Sequence, residues 1–141
     1  MPLRGISRRR RRSILCARKM NLEYTFRLYL NADGERLLGK GGAQILEAVE
    51  RYGSIAVAAK KLDMSYKFTW DYLTRMRRRL HKPLVVTYRG GTLHRKKKGG
   101  GGTTLTPVAK ALLKDFKETE RAMSSVLSKR ERDTARSIAN P

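Results

Sequence analysis

The side chains with the most distinctive chemistry lie between residues 65 and 80, in the segment SYKFTWDYLTRMRRRL. One set of residues recurs at helical spacing and predicts a buried face: Thr69, Tyr72, Leu73, Met76 and Leu80. The opposite face would present aromatic, hydroxyl and charged groups: Tyr66, Lys67, Trp70, Asp71, Thr74, Arg77 and Arg78. Because such groups reach base edges and phosphates, the pattern predicts a helix that binds in the major groove of DNA.

A second group of cations lies in a glycine-rich loop further along the chain. LVVTY, after Pro83, and TTLT, from Thr103 to Thr106, predict two short strands, and the segment between them is RGGTLHRKKKGGGG. A strand, a cationic loop and a return strand directly after a groove-binding helix are typical of the wing of a winged helix. We expect this wing, residues 89–102, to contact phosphates or a minor groove.

The predicted DNA contacts fall into two groups. Contacts to base edges or the groove are predicted for Ser65, Tyr66, Lys67, Trp70 and Thr74. Contacts to phosphates are predicted for Arg75, Arg77, Arg78, Arg89, Arg95, Lys96, Lys97 and Lys98, with Arg8 to Arg12 adding affinity that does not depend on sequence. Two residues have two possible roles. Trp70 either contacts DNA or belongs to the core. Asp71 either accepts a hydrogen bond from a cytosine or holds a neighbouring arginine.

The charge of the whole chain also indicates a polyanionic partner. Its 141 residues include 33 Lys and Arg but only 12 Asp and Glu, which gives a net charge of +21, and 40% are hydrophobic, enough for one core. The excess of cations lies in the first twenty residues and after residue 64, and the stretch between is neutral. We therefore expect one folded domain whose partner is double-stranded DNA.

The same composition argues against other classes of protein. The single cysteine, Cys16, cannot form an internal disulfide, and with only His81 and His94 beside it no metal site is predicted. No nucleophile or carboxylate pair indicates an enzyme, so we expect no catalysis, no cofactor and no small-molecule ligand. No apolar run approaches the roughly 18 residues of a membrane span, which predicts a cytoplasmic, nucleoid-associated protein without a membrane partner.

One segment nearly matches a phosphate-binding loop. GERLLGKG, from Gly34 to Gly41, follows the pattern GxxxxGK, but Gly41 stands where serine or threonine would bind Mg²⁺. The chain is also too short for the sheet of a nucleotide hydrolase. We expect Lys40 and its neighbouring glycines to form the entry to a helix.

Spacing and turn residues predict the elements that position these groups. EYTFRLYL, residues 23–30, alternates and predicts a strand, followed by a turn at NADG and a break at Gly41 and Gly42. AQILEAVERYG predicts a first helix that ends at Gly53, and Ser54 is a suitable N-cap for a second helix, IAVAAKKL. Ser65 caps the groove-binding helix after a tight connection, so a helix-turn-helix is predicted.

A long helix is predicted after Thr106 and Pro107, an N-cap followed by proline at the first helical position. Alternating steps of three and four residues, as in the seam of a two-stranded coiled coil, link Ala109, Leu112, Phe116, Thr119, Met123 and Val126. We therefore predict that these residues form the interface of a homodimer. The alternative is that the helix packs on its own domain.

Three segments together resemble a known family: GKGGAQILEAVERYGSIAVAAKKLDMSYKFTWDYLTRMRRRL, LVVTYRGG and KKKGGGGTTLTP. They are similar to the N-terminal DNA-binding domain of the ModE family of molybdate-responsive transcriptional regulators, which in turn is similar to the winged helix of LysR-type regulators. The resemblance runs from about Leu22 to Ser128 and implies a homodimeric transcriptional regulator. Members that sense molybdate have C-terminal oxyanion-binding domains, and we expect these to be absent because the chain stops at Pro141.

The sequence thus predicts a mainly α protein with a small β component, a winged helix-turn-helix with a long C-terminal dimerisation helix. Its predicted parts are a disordered basic arm (1–20), the winged helix-turn-helix domain (21–106), the dimerisation helix (107–130) and a flexible tail (131–141). The predicted function is that of a sequence-selective, DNA-binding transcriptional regulator. The alternatives are an architectural protein that coats DNA with little sequence preference, and an RNA-binding protein.

Overall fold

The computed structural model describes residues 20–89 and 102–141. The elements in chain order are β1 (Leu30–Ala32), β2 (Glu35–Leu38), α1 (Lys40–Tyr52), α2 (Ile55–Lys61), α3 (Tyr66–Leu80), β3 (Val85–Tyr88), β4 (Gly102–Leu105) and α4 (Pro107–Ala139). β1 pairs with β2 and β3 with β4, both antiparallel. The predicted winged helix-turn-helix, mainly α with a small β component, is confirmed. The predicted basic arm up to residue 19 and the tip of the wing, with Arg95 and Lys96 to Lys98, lie outside the described residues.

The chain divides into two compact units, Phe26–Ser125 and a smaller one that combines the described N-terminal residues 20–25 with Val126–Pro141. The larger unit contains both hairpins and the first three helices. In the smaller unit the Tyr24 backbone N–H donates to Glu131 Oε1 at 2.8 Å, and the Tyr24 hydroxyl is 3.0 Å from Thr134 Oγ1. The described N-terminal residues are therefore tied to the last turns of α4.

The three helices of the helix-turn-helix begin and end at the residues that their capping chemistry dictates. α1 ends at Gly53, whose left-handed backbone (φ 64°) lets its N–H donate to the Val49 carbonyl. The Ser54 hydroxyl accepts from the Val57 N–H and caps α2, and the Ser65 hydroxyl accepts from the Phe68 N–H and caps α3. The predicted end of the first helix and both predicted serine caps are confirmed.

One hydrophobic core joins these helices to the wing and to the start of α4. Its most deeply buried members include Ile45, Leu46, Val49, Ala58, Leu73, Met76, Leu84 and Ala109. On α3 the predicted inner face is confirmed, since Thr69, Leu73 and Met76 are buried and Tyr72 and Leu80 are partly buried. The core therefore fixes which side of α3 is left facing outward.

The base of the wing is a four-pair ladder that runs from Val85 opposite Leu105 to Tyr88 opposite Gly102. The Thr103 N–H donates to the Gly53 carbonyl at 2.8 Å, which attaches the return strand to the end of α1. A Cβ at Gly102 would lie 2.9 Å from Tyr88 Cε2, so a larger residue there would make the exposed Tyr88 ring shift.

Thr106 is a cap whose loss we expect to destabilise the domain. Its buried hydroxyl donates to the Pro83 carbonyl (2.8 Å) and accepts from the Ala109 N–H (3.3 Å), so it joins the start of α4 to the chain before β3. Thr106→Val keeps the shape but removes both bonds, and we expect a loss of about 1–3 kcal/mol in the free energy of unfolding. Chemical denaturation should show this loss, whereas Thr104→Val on the exposed face of β4 should change stability by less than about 0.5 kcal/mol. Equal effects of the two substitutions would contradict the role of the Thr106 hydroxyl.

The structure corrects three expectations about the elements. The strand predicted at residues 23–30 is wrong: the strand is Leu30–Ala32, and its partner Glu35–Leu38 follows the predicted NADG turn. Gly41 and Gly42 do not break the chain before the first helix but lie in its first turn. The last helix does not stop near residue 130, because it continues to Ala139, so the predicted flexible tail is largely helical.

The prediction of a dimer interface on α4 is wrong for Ala109 and Phe116. Ala109 and Phe116 are only 0% and 5% exposed because they pack in the core of their own chain, as the alternative foresaw. Leu112 also packs partly against this core. Thr119, Met123 and Val126 remain exposed. Among the described residues, no helix is long and apolar enough to cross a membrane.

Candidate nucleic-acid interface

The outward face of α3 exposes three large aromatic side chains in its first two turns. Tyr66, Phe68 and Trp70 are 53%, 52% and 42% exposed. The rings of Tyr66 and Trp70 stack on each other, with centroids 6.3 Å apart and planes inclined by 11°. Trp70 is therefore not a core residue, and its ring forms a flat, accessible surface together with that of Tyr66.

Lys67 lies beside this stacked pair and forms an ion pair along the helix. Its Nζ donates to Asp71 Oδ2 at 2.8 Å, and both side chains are largely exposed. The hydrogen bond to Asp71 and the charge of that carboxylate raise the pKa of Lys67, so the ammonium stays protonated. The partner of Asp71 is thus Lys67 and not a neighbouring arginine.

The second half of α3 presents a cationic concave surface. Thr74, Arg77 and Arg78 line an open cavity of about 570 Å³ together with His81 and Lys82, which follow the helix directly. His81 ends α3 in the left-handed conformation (φ 55°). Sequence reasoning missed His81 and Lys82, although their place immediately after the arginine cluster was the available signal.

The remaining described residues predicted to contact DNA, Ser65, Arg89 and Arg75, lie at three different places in the structure. The Ser65 hydroxyl accepts from the Phe68 N–H as the cap of α3, and the residue is exposed. Arg89 is exposed directly after β3, at the base of the wing. Arg75 does not join the cavity of Thr74, Arg77 and Arg78 but lines a different cavity on the other flank of α3.

Phe68 belongs to neither of the two faces predicted for this helix, and its side chain is exposed. It lies one residue before the buried Thr69, so helical rotation turns it away from the core, and its ring centroid lies 6.4 Å from that of Tyr72. An exposed apolar ring among cations is suited to contact with thymine methyl groups.

The segment that nearly matches a phosphate-binding loop forms a helix entry, as predicted. Gly39 is the N-cap and Lys40 the first residue of α1. Within residues 20–89 and 102–141, no group of three His, Cys, Asp or Glu side chains is placed to hold a metal ion.

These features define a winged helix-turn-helix domain with a cationic and aromatic outward helix. Comparison with known sequences confirms the resemblance to ModE proteins. The chain is 42% identical over 65 residues to "Molybdenum transport protein ModE" of Azotobacter vinelandii, which is 46% of this chain and 24% of that protein. It is 34% identical over 113 residues to "Molybdenum-pterin-binding protein MopB" of Rhodobacter capsulatus, which is 80% of this chain and 36% of that protein.

The chain thus spans between about a quarter and a little over a third of the length of these relatives. No protein-family model matches it. Among solved structures it is similar to ArgP from Mycobacterium tuberculosis, with 19% identity and a TM-score of 0.45 over 63% of this chain and 29% of that one. A CbnR DNA-binding domain in complex with DNA gives 23% identity and a TM-score of 0.42 over 70% of this chain and 94% of that one.

Proposed function

We propose that the domain binds double-stranded DNA as a transcriptional regulator, with the outward face of α3 in the major groove. The observation that supports this most directly is the composition of that face. It combines the stacked pair Tyr66 and Trp70, the ammonium of Lys67 and the guanidinium groups of Arg77 and Arg78 on a rigidly capped helix. A duplex groove is the surface that accepts an aromatic and cationic helix of this kind.

The proposal assigns separate roles along the helix and the wing. Residues near the start of α3 are proposed to contact base edges: Ser65, Tyr66, Lys67, Trp70 and Thr74. Arginines on the flanks and at the base of the wing are proposed to bind phosphates, together with the wing tip: Arg75, Arg77, Arg78, Arg89, Arg95, Lys96, Lys97 and Lys98. Phe68 joins the first group as a proposed contact to thymine.

A homodimer is the second part of the proposal. Met123 and Val126 are 39% and 56% exposed on α4, about one turn apart, and form an apolar pair on its surface. Pairing through these residues would hide them from water. Two paired domains would bind two half-sites about 34 Å apart, one turn of the double helix, so the preferred DNA should be palindromic.

Selection from a random pool of duplexes tests the proposal and its alternatives together. A regulator should enrich one palindromic sequence and bind it about 10³-fold or more tightly than random duplex at the same salt concentration. An architectural protein should show a ratio near one. An RNA-binding protein should be displaced from the duplex by an RNA hairpin at lower concentration than by DNA.

The ion pair on α3 gives a prediction of increased affinity. In Asp71→Asn the carboxylate that repels phosphates is removed and Lys67 is released from its partner, so random duplex should bind about two- to fivefold more tightly. Fluorescence anisotropy at fixed salt measures this. Asp115→Asn, which removes an exposed carboxylate from α4, serves as the control and should have a smaller effect. Weaker binding by Asp71→Asn would show instead that Asp71 itself contacts the DNA.

A further inference from the structure

An open cavity of about 790 Å³ lies between the β1–β2 hairpin, the start of α1 and one flank of α3. Five cationic side chains line it: Arg27, Arg36, Lys40, Arg75 and Arg79. Among the described residues that line it, Glu120 is the one carboxylate. We call this cavity the arginine cleft, and its lining has a clear excess of positive charge.

Two of these arginines lie over tyrosine rings in cation–π geometry. The Arg36 Cζ lies 3.7 Å from the centroid of the Tyr29 ring, and the Arg75 Cζ lies 5.1 Å from that of Tyr72. Both tyrosines also line the arginine cleft. Stacking on a ring occupies the face of a guanidinium group and leaves the N–H groups of its edge free to donate.

Glycines at the start of α1 make room for both tyrosines. A Cβ at Gly39 would lie 3.0 Å from Tyr29 Cδ1, and a Cβ at Gly42 would lie 2.6 Å from Tyr72 Cε1. A side chain at Gly42 would therefore push the Tyr72 ring away, and with it the support of Arg75. The two arginine–tyrosine pairs are thus seated on the same short stretch of chain.

The neighbouring Arg79, by contrast, forms an ion pair within the protein. Its Nε donates to Glu35 Oε2 at 3.1 Å, and its side chain is mostly covered. Arg36 and Arg75 have no ion-pair partner within the described parts of the chain. Both are exposed, so their charge is available to an incoming anion.

We propose that the arginine cleft binds a phosphate group through the edges of Arg36 and Arg75. Planar guanidinium groups with free edges match the oxygens of a phosphate in pairs. The phosphate comes either from a DNA backbone or from free phosphate ion. The first source rests on the proposed function, because Arg75 belongs to the groove-binding helix, whereas the second does not. Arg36 was not among the predicted contact residues.

Two measurements on the full chain test the cleft with the same variants, Arg36→Gln and Arg75→Gln. Arg51→Gln is the matched control, because Arg51 lies over the Tyr52 ring at 5.7 Å but outside the cleft. The first measurement titrates inorganic phosphate at low ionic strength and follows the amide NMR signals of Gly39, Gly41 and Gly42. The second measures binding of a random duplex at several salt concentrations.

The expected result is saturable phosphate binding that weakens at least tenfold in both cleft variants and stays unchanged in Arg51→Gln. Gly42→Ala, which keeps both arginines but displaces the Tyr72 ring, should weaken it as well. For a DNA phosphate, each cleft variant should also lower the slope of log affinity against log salt by up to about 0.9. Thermal unfolding confirms that each variant is folded.

The two measurements together distinguish a DNA phosphate, a free phosphate ion and the absence of a site. A lower salt slope in Arg36→Gln as well as in Arg75→Gln supports a DNA phosphate, because Arg75 alone would lower it through the contact already proposed. Weakened phosphate binding with an unchanged slope supports a free ion. If neither quantity changes more in the cleft variants than in Arg51→Gln, the proposal is overturned. Should the unmodified protein bind no DNA, the proposed function fails, and the phosphate titration alone decides whether the cleft is a site.

Discussion

Alanine in place of Tyr66 or Trp70 is expected to reduce the preference for the selected DNA sequence over random duplex by about 1–3 kcal/mol, roughly five- to 150-fold, for each base that the variant no longer touches. The two rings stack on each other, so removal of one leaves the other without its support. The double variant should therefore lose less than the sum of the two single losses.

Anisotropy titrations with both duplexes at one salt concentration measure this preference. Gln44→Ala, at an exposed position of α1, is the control and should leave it unchanged. Tyr66→Phe separates the ring from the hydroxyl, since it keeps the stack and removes only the polar group. If each alanine variant weakens both duplexes by the same factor, the aromatic pair contacts the backbone and does not discriminate between bases.

Aspartate at three positions of α4 is expected to give two distinct results. Met123→Asp and Val126→Asp place a charge on exposed apolar positions, so each should fold normally and dissociate the dimer. Phe116→Asp buries an unpaired carboxylate in the core, which should cost about 4 kcal/mol or more and unfold much of the protein.

Analytical ultracentrifugation at micromolar concentration gives the mass of each variant, and circular dichroism during heating gives its stability. The unmodified protein should sediment as a dimer, and the two exposed variants as monomers with unchanged melting. DNA binding should weaken together with dimerisation, because each half-site is then held by one domain alone. A monomeric unmodified protein would rule out the dimer outright.

Local chemistry made the helix-turn-helix predictable from sequence. Gly53, Ser54 and Ser65 each act on residues within four positions along the chain, so the bonds they form are encoded in a short window. The turn at NADG was equally local, since Asp33 and Gly34 adopt the left-handed backbone that such a pair favours. The hairpin around this turn was predicted wrongly. The alternating residues of EYTFRLYL suggested a long strand there, whereas β1 is short and pairs with the strand ERLL.

Contacts between distant segments could not be predicted in the same way. The spacing of apolar residues along α4 is the same whether a partner or the same chain covers them. The first turns dock on α1, as the ion pairs of Lys110 with Glu50 and of Lys117 with Glu47 show, and this fixes Ala109 and Phe116 in the core. The arginine cleft is similar, because Arg36 and Arg75 meet only once the hairpin has packed beside α3.

The residues of α3 that hold the helix in place are not the residues that face outward. Its fixed position depends on the Ser65 cap, the inward Thr69, Leu73 and Met76, and the left-handed His81. None of the three inward side chains is accessible to a ligand. Outward positions can therefore change by mutation at little cost to stability. A library randomised only at these outward positions should yield mostly folded proteins, and so a source of domains with new preferences.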